Sequence, residues 1–388
     1  MRWAQYVVPY SPMSFSSQNL KSYAYKLGFS IVGIMPAAPS PTLAAYYRWL
    51  QSGYHAGMGY LARPDRTARR DDLNVILPGI ASLIIVGVDY GAAVPEEILT
   101  DPRRGRIAAY AWGLDYHDMM TARLEQLAAW VQHEGSITHR VYVDTGAILE
   151  RSHAQQAGLG FIGKNTMLIR PRQGSFFFLG EILLTAEFDT YDRPHRETMC
   201  GSCMRCQMAC PTDAFPKPYV LDAGRCISYH TIENKGWVPA DLRTKFGNWM
   251  YGCDVCQDVC PFQRFAPGTQ WPELRPHEMN RAAPWLKNAL TITEAQFQEQ
   301  YRGSAIPRIK RARWVRNACI AAGNSGDESL APFLATLLRD ESPLVRGHAA
   351  WGYHRLQGHF AQSVIEAALH RETDESARGE MRSLLAAT

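Results

Sequence analysis

The chain has 388 residues, 46% of them apolar and 20% charged, with a formal net charge of +4, the make-up of an ordinary globular protein with room for two or three domains. No apolar run approaches the ~20 residues of a membrane span, and the opening MRWAQYVVPYSPMSF lacks the apolar core and small-residue cleavage site of a secretory signal as well as a twin-arginine start. With cysteines suited to remaining reduced, this points to a cytoplasmic protein with no membrane partner.

From about residue 18 to 190 helical and strand-like stretches alternate. Residues 82–88 (SLIIVGV) form a short unbroken apolar run, the pattern of a buried strand. Met120, Leu124, Leu127 and Val131 recur at 4, 3 and 4 residues, one face of an amphipathic helix. Residues 141–143 read as a second strand, running into Asp144-Thr145-Gly146. Residues 176–184 (FFFLGEILL) read as a third. Strands interleaved with helices predict a sheeted core, taken as an N-terminal α/β domain over residues 1–190 of an α+β protein.

Two motifs in this region invite misreading. Asp144-Thr145-Gly146 matches the triplet of aspartic proteases, but those need two carboxylates sharing a proton and no second triplet exists. What remains is an acid at a strand end, placed either for chemistry or to cap the next helix. Gly158-Leu159-Gly160-Phe161-Ile162-Gly163 matches the dinucleotide string. Yet the preceding LERSHAQQA reads as a helix, where that motif requires a strand. Lys164 follows, but Asn165 is no Walker serine or threonine.

Residues 191–265 are dominated by cysteine, proline and glycine, as expected where metal clusters replace an apolar core. Cys200, Cys203, Cys206 and Cys210 are spaced Cys-x2-Cys-x2-Cys-x3-Cys before Pro211; Cys253, Cys256 and Cys260 precede Pro261; Cys226 stands between. This is the bacterial ferredoxin run, in which the fourth cysteine of a motif ligates the other cluster. One 4Fe–4S centre is therefore assigned to Cys200, Cys203, Cys206 and Cys260. The other is assigned to Cys210, Cys226, Cys253 and Cys256. Zinc ribbons rarely stack three cysteines at this spacing before Cys-Pro, and disulfides suit small secreted domains. Cys319 lies in an apolar helical run and reads as a small buried hydrophobe.

Residues 266–388 read as helices. Val315-Arg316-Asn317-Ala318 and Val345-Arg346-Gly347-His348 recur after 30 residues, as in HEAT-like repeats. One repeat and a part of another cannot bury a core alone, so they are expected to dock on the body. Within residues 306–316 (IPRIKRARWVR), Arg308, Lys310, Arg311, Arg313 and Arg316 lie close together. They form either a solvated helix face or a phosphate-binding stripe.

Taken together, residues 110–117 (YAWGLDYH), 143–151 (VDTGAILER), 157–164 (AGLGFIGK), 174–181 (GSFFFLGE), 225–233 (RCISYHTIE), 303–308 (GSAIPR) and both cysteine motifs resemble, in order, the epoxyqueuosine reductase family. The likeness covers roughly residues 18–325. This chain departs from the family pattern at Gly146-Ala147, where Ala-Pro is common, at Phe161, often Trp, and at Asn165, often His.

The resemblance implies removal of the epoxide oxygen of epoxyqueuosine at the wobble position of tRNAs with GUN anticodons. It implies cobalamin between the N-terminal domain and the ferredoxin-like module, reduced to the Co(I) state through the two clusters by an external low-potential donor. Asp144 would protonate the departing oxygen. Tyr110, His117, Arg151, Lys164, Asn165, Ser228 and Asp254 would contact the cofactor. The helical tail with its basic stretch would hold the anticodon stem. Tyr110, Trp112, Tyr116 and Tyr229 would be either core aromatics or platforms for a splayed base. A monomer is expected. Two rivals share the two-cluster wiring: a dehalogenase-like corrinoid enzyme and a ferredoxin-like adaptor without chemistry.

Overall fold

A computed structural model describes residues 15–133, 137–195 and 198–386; most of the stretch read for an export signal, residues 1–14, lies outside the described residues. Four strands build the central sheet: β1 (Ile31–Pro36), β2 (Ser82–Asp89), β3 (His139–Tyr142) and β4 (Phe177–Leu184), in the order β1-β2-β4-β3. Each pairing is antiparallel. This corrects the α/β reading of residues 1–190: helices separate the strands in sequence, but each neighbour enters the sheet in the opposite direction, so the layer is α+β.

Both faces of the sheet are covered, which is why β2 and β4 read as continuous apolar runs. One face carries Val32, Ile34, Ile84, Val86, Phe178 and Ile182 against Leu20 and Ala24 of α1 (Ser17–Lys26) and against α2 (Tyr116–Gln132). On α2 the anticipated Met120, Leu124, Leu127 and Val131 are all fully buried. Each such side chain contributes about 2 kcal/mol of hydrophobic stabilisation. Asp115 starts that helix by accepting the His117 main-chain N–H at 3.0 Å. The other face carries Ile31, Leu83, Ile85, Phe177 and Leu183 against Ala154 of α3 (Glu150–Gln156).

The cysteine-bearing segment lies between the sheet and the C-terminal helices. Its strand Trp249–Tyr251 pairs in parallel with Arg106–Ile107. Its short helices Arg205–Ala209, Ile227–Ile232 and Val255–Asp258 hold or border the thiols. Beyond residue 265 the chain returns to the N-terminal body, with the Trp271 indole donating to Gly28 O at 2.8 Å.

After two short helices, Leu286–Thr291 and Glu294–Gln300, come α4 (Lys310–Ser325), α5 (Ala331–Leu337), α6 (Pro343–Gln357), α7 (Gln362–Arg371) and α8 (Glu375–Ala386). The recurring Val315 and Val345 are both fully buried. α4 and α6 cross so tightly that a Cβ on Gly323 would stand 2.9 Å from the Gly352 Cα, and one on Gly352 2.7 Å from the Cys319 carbonyl oxygen. One apolar core runs from Leu20 through to Met381. That cluster draws on all three segments, beside two smaller ones, one of them on the other face of the sheet.

Candidate active site and cluster cavities

Asp144 follows β3 in a left-handed conformation, φ +55°. It caps no helix, since α3 begins at Glu150 behind Leu149. The turn is tight: a Cβ on Gly146 would stand 2.7 Å from the Tyr142 ring, which accounts for glycine at that departure from the family pattern. The carboxylate points away from the core, with its side chain 58% exposed. Its Oδ2 accepts the Tyr116 hydroxyl at 2.8 Å. Tyr116 is itself fixed by stacking on Phe178, ring centroids 4.1 Å apart and planes within 7°. Behind it the His117 Nδ1 meets Asp115 at 2.7 Å, and its Nε2 lies 3.9 Å from the Asp144 Oδ2.

This carboxylate lines a cavity of about 560 Å³, within the range of small-molecule sites. The same cavity is lined by Cys210, Cys226, Cys253 and Cys256. A second, smaller cavity of about 180 Å³ is lined by Cys200, Cys203, Cys206 and Cys260. The eight thiols therefore fall into the two sets read from the spacing, with one set beside Asp144 and the other beyond it. Cys319 lies apart and fully buried in α4, where burial pushes its thiol up.

The other residues named from the sequence divide by location. Tyr110, Arg151, Asn165, Ser228 and Asp254 line the large cavity. Among them Asp254 accepts the Ala109 main-chain N–H at 2.7 Å, and burial beside Asp258 pushes its carboxyl up to about 7. Asn165 donates to the Cys256 carbonyl at 3.1 Å, so it also braces a thiol loop. Arg151 reaches the Thr166 carbonyl at 2.7 Å.

Lys164 is placed elsewhere than expected. Its ammonium binds the carbonyls of Gly201 at 2.7 Å and Cys203 at 3.0 Å, against the small cavity. It clamps the loop bearing the first thiols and does not line the large cavity. His117 likewise stands behind Tyr116, outside the lining. Trp112 is a core residue, buried with its indole on the Ile107 carbonyl, whereas Tyr229 lines the cavity.

The basic stretch is not one stripe. Arg308 and Lys310 are exposed, Arg308 at the cavity mouth and paired with Glu233 at 2.6 Å. Arg311 turns to Asp340 at 2.8 Å, and Arg313 to the Ile232 carbonyl. Arg316 is fully buried, donating to the carbonyls of His230, Asn234 and Gly236. Every residue of α4 from Trp314 to Gly323 is buried, so no face was left for a row of cations. Arg316 is therefore corrected from a phosphate contact to a brace of the cysteine-bearing segment.

Two acids escaped the sequence reading. Glu150, at the start of α3, lines the large cavity and accepts the Asp144 main-chain N–H. Burial, then the negative charge of Asp144, push its carboxyl up to about 8. Glu181, in the middle of β4, is completely buried with neither carboxylate oxygen hydrogen-bonded, and burial holds its pKa far above the usual range. The available signal was a lone acid inside the apolar run FFFLGEILL.

Residues 199–263 match the family model described as a 4Fe-4S double cluster binding domain, and residues 70–145 match that of epoxyqueuosine reductase QueG, DUF1730. An epoxyqueuosine reductase of Synechocystis is 42% identical over 293 residues, 74% of this chain and 98% of that one. The Escherichia coli enzyme is 38% identical over 360 residues, 92% and 93% of the two chains. Among solved structures, an epoxyqueuosine reductase with an epoxyqueuosine-modified tRNA-Tyr stem loop superposes with TM-score 0.89 at 32% identity, covering 95% of this chain and 97% of that one. A Bacillus subtilis epoxyqueuosine reductase whose catalytic aspartate loop is swung out of the active site gives 0.87 at 32%, covering 95% and 98%. Such identity along nearly the whole chain decides against a dehalogenase-like enzyme or an adaptor without chemistry. The chain is an oxidoreductase and a member of the epoxyqueuosine reductase family.

Proposed function

We propose that this protein converts epoxyqueuosine to queuosine in tRNA with GUN anticodons, with Asp144 as proton donor to the leaving oxygen. The observation that carries the reading is the shared cavity, lined both by a carboxylate that a tyrosine holds and by four thiols. The superposed relative with a modified tRNA stem loop supports the choice of substrate. Cys210, Cys226, Cys253 and Cys256 would hold the cluster nearer the chemistry. Cys200, Cys203, Cys206 and Cys260 would hold the one that receives electrons from an external low-potential donor.

The lining also suits cobalamin. Broad apolar surface from Tyr110, Phe177 and Leu179 is fringed by amide and hydroxyl groups of Asn165, Ser175, Ser228 and Gln257, the partners that a flat corrin with peripheral carboxamides needs. When bound, that cofactor supplies a strongly reducing, nucleophilic metal centre for opening the epoxide. The protein's part is to place and protonate. An alkoxide is a poor leaving group, so a positioned acid lowers the barrier. Tyr116 holds the Asp144 carboxyl in one orientation, and a molecule filling the cavity excludes water from it. The exposed Arg308 and Lys310 would meet phosphates, and Tyr60, 47% exposed at the mouth, offers a stacking face to an extruded base.

Among the described residues no helix is long and apolar enough to cross a membrane. The test is anaerobic turnover of epoxyqueuosine-containing tRNA with added cobalamin, scored by nucleoside mass spectrometry. Loss of one oxygen that requires both corrin and clusters supports the reading. Corrin binding with untouched tRNA would sink it.

A further inference from the structure

Of the large apolar side chains exposed among the described residues, four gather in one region: Met208 at 83%, Phe265 at 51%, Met199 at 49% and Met204 at 38%. The three methionines are interleaved with cysteines in TMCGSCMRCQMACP. Met199 lines the small cavity of the Cys200 set, and Met208 lines a neighbouring groove of about 670 Å³ that shares Arg205, Cys260 and Pro261 with it; the Met204 sulfur lies 3.7 Å from the Lys164 ammonium, itself in the small cavity's lining. A soluble surface does not ordinarily group such side chains, and methionine and arginine are the residues enriched at protein interfaces.

The groove is also charged. Arg205 and Arg264 are exposed on its rim, and neither has a carboxylate partner among the described residues; Arg264 lies over the Phe265 ring at 4.5 Å. The acid in the lining, Asp258, faces Arg106 at 3.7 Å. What the groove offers outward is thus flexible apolar side chains ringed by unanswered positive charge, directly above the thiol set farther from Asp144.

We propose that this surface docks a small acidic protein carrying one low-potential electron, and that electrons enter here. The proposal rests on the reading of the Cys200 set as a cluster. Each encounter oxidises the carrier by one electron and reduces the cluster by one. Two such transfers and two protons balance the loss of one epoxide oxygen as water. A small interface with adaptable methionines and cationic guidance suits a partner that must leave after each electron.

The test follows cluster bleaching in rapid mixing of the two-cluster protein, without tRNA, using two reductants: a fully reduced acidic flavodoxin and the methyl viologen radical. Arg264→Glu and Met208→Glu, alone and together, are compared with the parent at rising salt. Docking predicts that the flavodoxin rate constant falls about tenfold in the double variant and loses its salt dependence, while the viologen rate is unchanged. An equal fall with both reductants shows damage to the cluster and overturns the proposal, as does an unchanged flavodoxin rate. If viologen bleaches nothing in the parent, the cluster reading itself fails. Should the double variant lose iron, Arg264→Glu, whose side chain lies outside the small cavity, carries the comparison.

Discussion

The Tyr116 hydroxyl lies 2.8 Å from the Asp144 Oδ2 and donates to it. The two residues are 28 apart in sequence and meet because α2 packs on the sheet that ends in the Asp144 turn. Replacing Asp144 by Asn keeps the shape and removes the proton. Oxygen removal should fall at least about 10²-fold with clusters intact. Tyr116→Phe keeps the acid but frees its rotamer, and a loss of about tenfold is expected. Single-turnover assays of modified tRNA, alongside iron content, check both.

The buried acids predict an unusual pH response. Glu150 and Glu181 hold their protons in the folded state above the pH at which they release them when unfolded. The folded state therefore binds more protons between the ordinary glutamate range and about 8, and stability declines as pH rises through that window. Glu181→Gln mimics the protonated form. It should be more stable than the parent at pH 8, with the gap closing near pH 5. Denaturant midpoints at the two pH values decide the matter; an equal gap at both would refute the assignment.

Lys164 tethers the loop of Cys200 and Cys203 through two carbonyls. Lys164→Met retains the stem and removes the tether. Iron should drop from two clusters' worth toward one, with the loss confined to the Cys200 set in the EPR spectrum. Corrin affinity should be unchanged, because the side chain does not line that cavity.

Arg316 and Lys310 separate stability from binding within one basic stretch. Arg316→Ala strands three buried carbonyls and should cost about 3 kcal/mol or more in thermal or denaturant unfolding. Lys310→Ala should leave unfolding within about 0.5 kcal/mol of the parent. It should weaken tRNA binding and lower the salt slope by about 1. Parallel measurements of unfolding and of tRNA affinity against salt distinguish the two.

The contrast between these two cations shows what a sequence can carry. The cysteine sets were legible because ligand spacing is local and chemically restrictive. The buried face of α2 was legible because a period is a local property. The burial of Arg316 was not, since it depends on carbonyls 80 to 86 residues earlier in the chain. Direction in the sheet was equally hidden, because β2 meets β4 across nearly a hundred residues whose path no local pattern encodes. Asp144 stood out by its strand-end position, whereas its partnership with Tyr116 and the proton-holding Glu150 needed the sheet to bring three segments together.

The bracing of the cysteine-bearing segment by the C-terminal helices has a consequence for biogenesis. Arg243 in that segment grips Glu380 of α8 through two hydrogen bonds of 2.8 Å, across 137 residues. During synthesis all eight thiols leave the ribosome well before the helices that hold their loops in place. The scaffold around those thiols is therefore complete only once α8 has packed against it.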